Sequence, residues 1–97
     1  MYARVTIVRV LPGKMDEAIG IFRDSVVPAA EKQKGHKGHY LLTERESGKG
    51  ISISLWETEA DMIAGESSDH YRQQLAKFKD IFASPPARED YEVTVQP

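Results

Sequence analysis

Apolar positions along the chain change period several times, and each change marks an element. Residues 1–11 carry Val5, Thr6, Ile7, Val8 and Val10, with apolar side chains at both parities. That pattern predicts a strand covered on both faces. Pro12-Gly13 stops it. From Lys14 the spacing becomes helical: Met15, Ala18, Ile19, Phe22, Val26, Ala29 and Ala30 share one face. Asp16 and Glu17 stand in the first turn, where the helix dipole favours negative charge. Lys32 and Lys34 stand in the last, and Gly35 is placed to cap it. Pro28 falls inside this pattern, which predicts a kink or break near Val26–Val27.

His36 to Glu46 reads as a second strand and Gly50 to Glu57 as a third, joined by a hairpin at Ser47-Gly48-Lys49. Thr58-Glu59-Ala60-Asp61 resembles a capping box and opens a helix that Gly65 is expected to end. Ser67-Ser68-Asp69 offers a second N-cap, after which Tyr71, Leu75, Phe78 and Phe82 form a helical stripe as far as Ser84-Pro85-Pro86. Tyr91, Val93 and Val95 alternate with polar residues and predict a final half-buried strand.

The order is βαββαβ, with the second helix in two pieces. It defines an α+β, ferredoxin-like fold: a four-stranded antiparallel sheet with helices on one face. The third strand then has two different sides. Ile51, Ile53 and Leu55 point one way; Ser52, Ser54 and Trp56 point the other. An aliphatic side suits packing against a second sheet. Small polar residues beside an indole suit a cavity wall under the helices. A homodimer whose two sheets close into a barrel would cover the aliphatic side.

Composition narrows the possibilities. The chain has 97 residues, 13 Lys+Arg against 15 Asp+Glu, a net charge of −2 and no cysteine. One domain over 1–97 is expected. Its core is thin, because a domain this small buries only about 60–65% of its unfolded surface. Disulfide scaffolds are excluded, and near-neutral charge argues against a nucleic-acid partner. No apolar run approaches the roughly 20 residues of a membrane span, and residues 1–15 do not read as a secretory signal. A cytoplasmic address is therefore expected.

Three segments carry a family resemblance: Leu11-Pro12-Gly13-Lys14, Lys34-Gly35-His36, and above all Ser54-Leu55-Trp56-Glu57-Thr58-Glu59. Together they resemble the antibiotic biosynthesis monooxygenase domain of the dimeric α+β barrel superfamily. The resemblance implies a homodimer and a small-molecule substrate. It implies oxygenation of quinols or anthrones without metal, flavin or haem, although the superfamily also contains haem-degrading enzymes and domains with no assigned chemistry. In the anthrone-type oxygenases the polar set is an Asn on the third strand, a Trp at its end and a Tyr on the next helix. Trp56 matches the Trp; Ser52 takes the Asn position and Met62 the Tyr position. In the haem-degrading members the Asn, Trp and His positions fall near Thr6, Gly65 and Leu75, and none matches.

The candidate residues follow. Trp56 is expected to wall a cavity, with its indole nitrogen seeking an acceptor, although a packing role at the strand–helix corner accounts for it equally. Ser52 and Ser54 offer hydrogen bonds to substrate oxygens. Met62 and Tyr71 are expected along the wall, Tyr71 also beginning the apolar stripe. His70 is the candidate base, since an imidazole near pKa ~6.5 suits proton abstraction from a phenol and a helix start disfavours its charged form. Solvated capping beside Asp69 is the plainer role for it. His36 and His39, three apart in a strand, are expected on opposite faces and so to bind no metal. Arg4 is expected to pair with a carboxylate on a neighbouring strand, such as Glu92. Two alternatives to an oxygenase remain: a non-catalytic dimeric domain that binds a small ligand, and a domain that binds haem without degrading it.

Overall fold

A computed structural model describes all 97 residues. Its strands are β1 (Tyr2–Arg9), β2 (His36–Glu44), β3 (Lys49–Trp56) and β4 (Ala87–Glu92). They form one antiparallel sheet in the order β2-β3-β1-β4. The helices are α1 (Met15–Ile21), α2 (Val27–Glu31), α3 (Glu59–Glu66) and α4 (Asp69–Ala76). This is the α+β, ferredoxin-like βαββαβ fold that the hydrophobic pattern predicts. No helix is long and apolar enough to cross a membrane.

The first helical region does not break at Pro28. A π-helical segment, Phe22–Val26, joins α1 to α2 immediately ahead of the proline. Pro28 has no N–H to donate, and its ring would clash with a carbonyl in a regular α-helix. The wider π-turn absorbs that mismatch, and the chain stays helical from Met15 to Glu31.

Three further expectations are corrected. Gly65 lies inside α3 rather than ending it; the C-cap is Ser67. The α4 helix stops at Ala76, so Phe78 and Phe82 lie in the following turns, where their rings stack at 4.8 Å. The last strand runs over Ala87–Glu92 rather than along the Tyr91–Val95 alternation, and Val95 is 87% exposed. Ion pairing sets that register: Asp90 stands opposite Arg4, and its Oδ1 accepts from Arg4 Nε at 2.9 Å.

The core sits at one end of the layer between sheet and helices. Val10, Met15, Ala18, Phe78 and Ile81 form a buried cluster, with Val8, Ile19, Val26 and Phe82 packed against it. Backbone bonds fasten the turns after α4 over the end of β1: Leu11 N–H donates to Ile81 O, and Ala83 N–H to Arg9 O, each at 2.8 Å. At the β2–β3 hairpin, Gly48 has φ +74°, and any Cβ there would lie 2.6 Å from the Val10 carbonyl. A glycine is required on both counts.

The two faces of the sheet differ. Arg4, Thr6 and Val8 of β1 stand opposite Ser54, Ser52 and Gly50 of β3, on the side covered by helices. Ala3, Val5 and Ile7 stand opposite Leu55, Ile53 and Ile51 on the other. Nothing in the chain packs over that aliphatic side, where Tyr40 is 60%, Leu42 52% and Tyr91 51% exposed.

Candidate functional site

A cavity of about 140 Å³ lies between the sheet and the helices. Its floor is the inner face of β1, β2 and β3; its roof comes from α1, the π-segment, α4 and the turns that follow. Beyond the core cluster the floor becomes polar, through Thr6, Ser52, Ser54, His39 and Arg4.

Trp56 is 5% exposed and lines the cavity. Its Nε1–H donates to Ser54 Oγ at 2.9 Å, which supplies the acceptor that the indole requires. On the opposite side the ring rests on Gly65, where a Cβ would come within 2.6 Å of Cη2. Gly65 thus serves close approach rather than helix termination. Ser54 is buried and engaged by the indole, whereas Ser52 is half-buried and its hydroxyl meets a histidine.

That histidine is His39, and its position overturns one expectation. A β-bulge between His36 and Gly38 inserts an extra residue into β2. It shifts the alternation by one, so His36 stands opposite Trp56 and His39 opposite Ser54, both on the inner face. His36 Nε2 and His39 Nδ1 are 3.2 Å apart, and His39 Nε2 is 3.3 Å from Ser52 Oγ. Phe22 of the π-segment meets the His39 ring edge-on at 5.1 Å, and His36 meets Trp56 edge-on at 5.3 Å. No third ligating side chain joins the pair, so it is a hydrogen-bonded dyad rather than a cluster suited to a metal.

Burial pushes His39 down to about 4, with His36 adding to the effect. Burial also lowers His36, against an opposing pull from the Glu31 carboxylate. Both imidazoles are therefore neutral near pH 7, each with one donor and one acceptor nitrogen.

The remaining candidates are spread out. His70 and Tyr71 both reach the cavity rim, but His70 is exposed and Tyr71 only half-buried. Met62 is 1% exposed and packs below the site without lining it, so the position expected along the wall lies behind it. Its carbonyl accepts from Arg4 Nη1 at 3.4 Å. Arg4 closes this end of the cavity. It pairs with Asp90 and Glu66 rather than Glu92. Arg88 also pairs with Glu66 and donates to Tyr71 Oη at 3.3 Å. The two guanidinium groups balance the two carboxylates, so the network contributes no net charge to the cavity. The Arg4 hydrogen bonds hold the Asp90 carboxyl below its usual range.

Fold and cavity define a ferredoxin-like α+β domain with a small chamber between sheet and helices. The chain belongs to the antibiotic biosynthesis monooxygenase family, whose profile matches residues 1–77. It is 34% identical over 97 residues to the uncharacterized protein Rv2557 of Mycobacterium tuberculosis, covering 96% of this chain and 41% of that protein. The uncharacterized protein Rv2558 of the same organism is 41% identical over 58 residues, 60% of this chain and 25% of that protein. The chain thus spans less than half the length of the curated relatives it matches. Among solved structures it resembles SnoaB, a cofactor-independent oxygenase from Streptomyces nogalater, with TM-score 0.81 and 14% identity over 98% of this chain and 94% of that one. It also resembles NE2512, a protein of unknown function from Nitrosomonas europaea, with TM-score 0.80 and 21% identity over 99% and 91%.

Proposed function

We propose that this chain is a monooxygenase of small electron-rich aromatic rings, in which the substrate itself, once deprotonated, reduces dioxygen. The observation that carries this reading is convergence: His39 Nε2 and Ser52 Oγ meet at 3.3 Å on the floor of a cavity that Trp56 also lines. Family membership and the likeness to SnoaB support it. The cavity of about 140 Å³ is close to the ~150 Å³ that accommodates benzene in an engineered protein interior, so it suits one ring better than the three fused rings of an anthrone. A hydroquinone is the substrate class that fits.

In the proposed chemistry a ring hydroxyl gives its proton to neutral His39, the buried base, rather than to His70 at the rim. The anion passes one electron to dioxygen, and the resulting radicals join at a ring carbon. The peroxide formed takes a proton back. The O–O bond then breaks: one oxygen stays as a carbonyl, and the other leaves as water with the hydrogen of that carbon. The sum is hydroquinone plus dioxygen giving hydroxyquinone plus water. Trp56 shapes the ring slot, and Ser52 supplies a hydrogen bond to the substrate anion. Ser54 holds the indole.

Oxygen uptake with a panel of hydroquinones and anthrones tests this. The native protein should turn over single-ring hydroquinones, and Trp56→Phe and His39→Gln should be at least tenfold slower, as loss of a general base implies. A panel that binds without any oxygen uptake would make the chain a ligand-binding domain instead. We also propose a homodimer formed through the outer face, where Val5, Ile7, Ile51, Ile53 and Leu55 remain only half-buried within the chain. Sedimentation at micromolar concentration should give twice the mass of one chain; a monomer would refute it.

A further inference from the structure

We infer that His36 and His39 act together as a proton relay, carrying a proton between Ser52 on the cavity floor and the half-buried start of β2. The inference deepens the oxygenase reading and rests on it for its biological role.

The geometry forms a chain. Ser52 Oγ is 3.3 Å from His39 Nε2, and His39 Nδ1 is 3.2 Å from His36 Nε2. Two hydrogen-bond arrays satisfy both contacts. In the first, the Ser52 hydroxyl donates to His39 Nε2, and His39 Nδ1–H donates to His36 Nε2. In the second, His36 Nε2–H donates to His39 Nδ1, and His39 Nε2–H donates to Ser52 Oγ. In the first array a Ser52 Oγ lone pair is the free acceptor on the cavity floor, and His36 carries its proton on Nδ1. A substrate hydroxyl gives its proton to Ser52 Oγ as Ser52 passes its own to His39 Nε2, and the His39 Nδ1 proton moves on to His36 Nε2; one O–H bond forms and one breaks at Ser52. One N–H bond forms and one breaks at His39, and the positive charge comes to rest on His36.

The surroundings favour that resting place. His39 is the deeper ring, with Phe22 edge-on to it, and burial opposes its charged form. His36 is less strongly shifted and has the Glu31 carboxylate of α2 acting in its favour. The Trp56 ring of β3 lies nearly perpendicular to the His36 ring, with centroids 5.3 Å apart, and fixes the orientation of the imidazole. The other titratable groups around the cavity are Arg4, Glu66, His70 and Tyr71, and the first two are already paired with each other. The abstracted proton is thereby held on His36, beyond Ser52 and His39 from the anion, and can return by the same path when the peroxide needs it. The bulge at Lys37 makes this possible, because regular alternation would put the two rings on opposite faces.

The experiment uses 4-nitrophenol, a single-ring phenol whose ionised form is coloured, with ring-15N-labelled histidine in the native protein. Bound phenol should ionise, and the 15N shifts should place the proton on His36 while His39 stays neutral. His36→Gln, which retains an amide acceptor for His39 but cannot carry the proton, should bind the phenol and ionise it roughly tenfold less at the same pH. A proton resting on His39, or equal ionisation in the variant, would overturn the relay. Failure of the phenol to bind would overturn both the relay and the oxygenase reading. Ionisation in the native protein without oxygen uptake from any hydroquinone would leave the relay intact and remove the oxygenase. The 15N measurement on native protein decides the question even if the variant does not fold.

Discussion

Strand β3 has two faces one residue apart, and they are built for different ends. Toward the helices it shows Ser52, Ser54 and Trp56; away from them, Ile51, Ile53 and Leu55. Full burial of each aliphatic side chain is worth roughly 1.5–3 kcal/mol. On the outer face these side chains are only half-buried, so part of that potential is held in reserve. The inner face forgoes part of it: small serines line a chamber of about 140 Å³, and the Ser52 hydroxyl stands beside His39. Packing supplies assembly on one side, and incomplete packing supplies chemistry on the other.

The largest effect is expected from charging the outer face. Ile53 stands opposite Val5 and Tyr40 at the centre of the sheet. In a dimer, Ile53→Asp buries a carboxylate without a partner and should cost on the order of 4 kcal/mol of association free energy. Sedimentation should show single chains that retain a native far-UV spectrum. An unchanged dimer would mean that the aliphatic face is not the interface.

Acid should act on the inner face instead. His39 sits at about 4 in the folded chain against the ordinary imidazole value near 6.5. Between those values the unfolded chain binds a proton that the folded chain refuses, so stability rises with pH across the window. The contribution is complete above about pH 6.5 and is lost as pH falls toward about 4, with an upper bound of about 3.5 kcal/mol. His36 acts in the same direction, weakened by Glu31. Urea melts at pH 7, 5.5 and 4 should show this slope, and His39→Gln should flatten it. A flat native profile would place His39 in water.

The outer face was legible from sequence because strict alternation over Ile51–Trp56 leaves one way to arrange the side chains. The histidine dyad was not. Alternation puts residues three apart on opposite faces, and only the bulge beside Lys37 reverses that. Gly38 is the one hint, since a glycine inside a strand pattern often marks a bulge, but its place is fixed only by the pairing of β2 with β3. The last strand misled for a related reason. Tyr91, Val93 and Val95 alternate well, but an edge strand fixed by Arg4–Asp90 pairing can be mostly charged and exposed along its length. Trp56 was legible as a wall, whereas the function of Gly65 was hidden, since a glycine near a helix end reads as a cap.

Gly65 gives the next effect in size. A methyl group there would meet the indole at 2.6 Å, and the indole is a rigid ring held by Ser54. Gly65→Ala should therefore displace Trp56 into the cavity and cost about 1–3 kcal/mol, as overpacking does. Trp56 is the single tryptophan, so a shift in its emission reports the movement directly. Unchanged emission and stability would show that α3 yields rather than the ring.

The sharpest contrast between the faces comes from two adjacent residues truncated alike, and one of them, Ser52→Ala, has the smallest effect on stability. Ile53→Ala removes buried methyl groups from the proposed interface and should cost about 2–4 kcal/mol in the dimer. Ser52→Ala removes one hydroxyl from a floor that is already open, and should change stability by less than about 1 kcal/mol. Its consequence lies in the chemistry. Without Ser52, His39 Nε2 loses its partner, and a substrate anion loses a donor worth about 1.5 kcal/mol, or roughly tenfold in oxygen uptake. Melts and oxygen uptake on the two variants should therefore separate: Ile53→Ala weakens assembly and spares turnover per folded dimer, while Ser52→Ala spares assembly and slows turnover. If both variants lost stability and activity in step, the two faces would not be independent, and the cavity would owe its shape to the partner sheet beneath it.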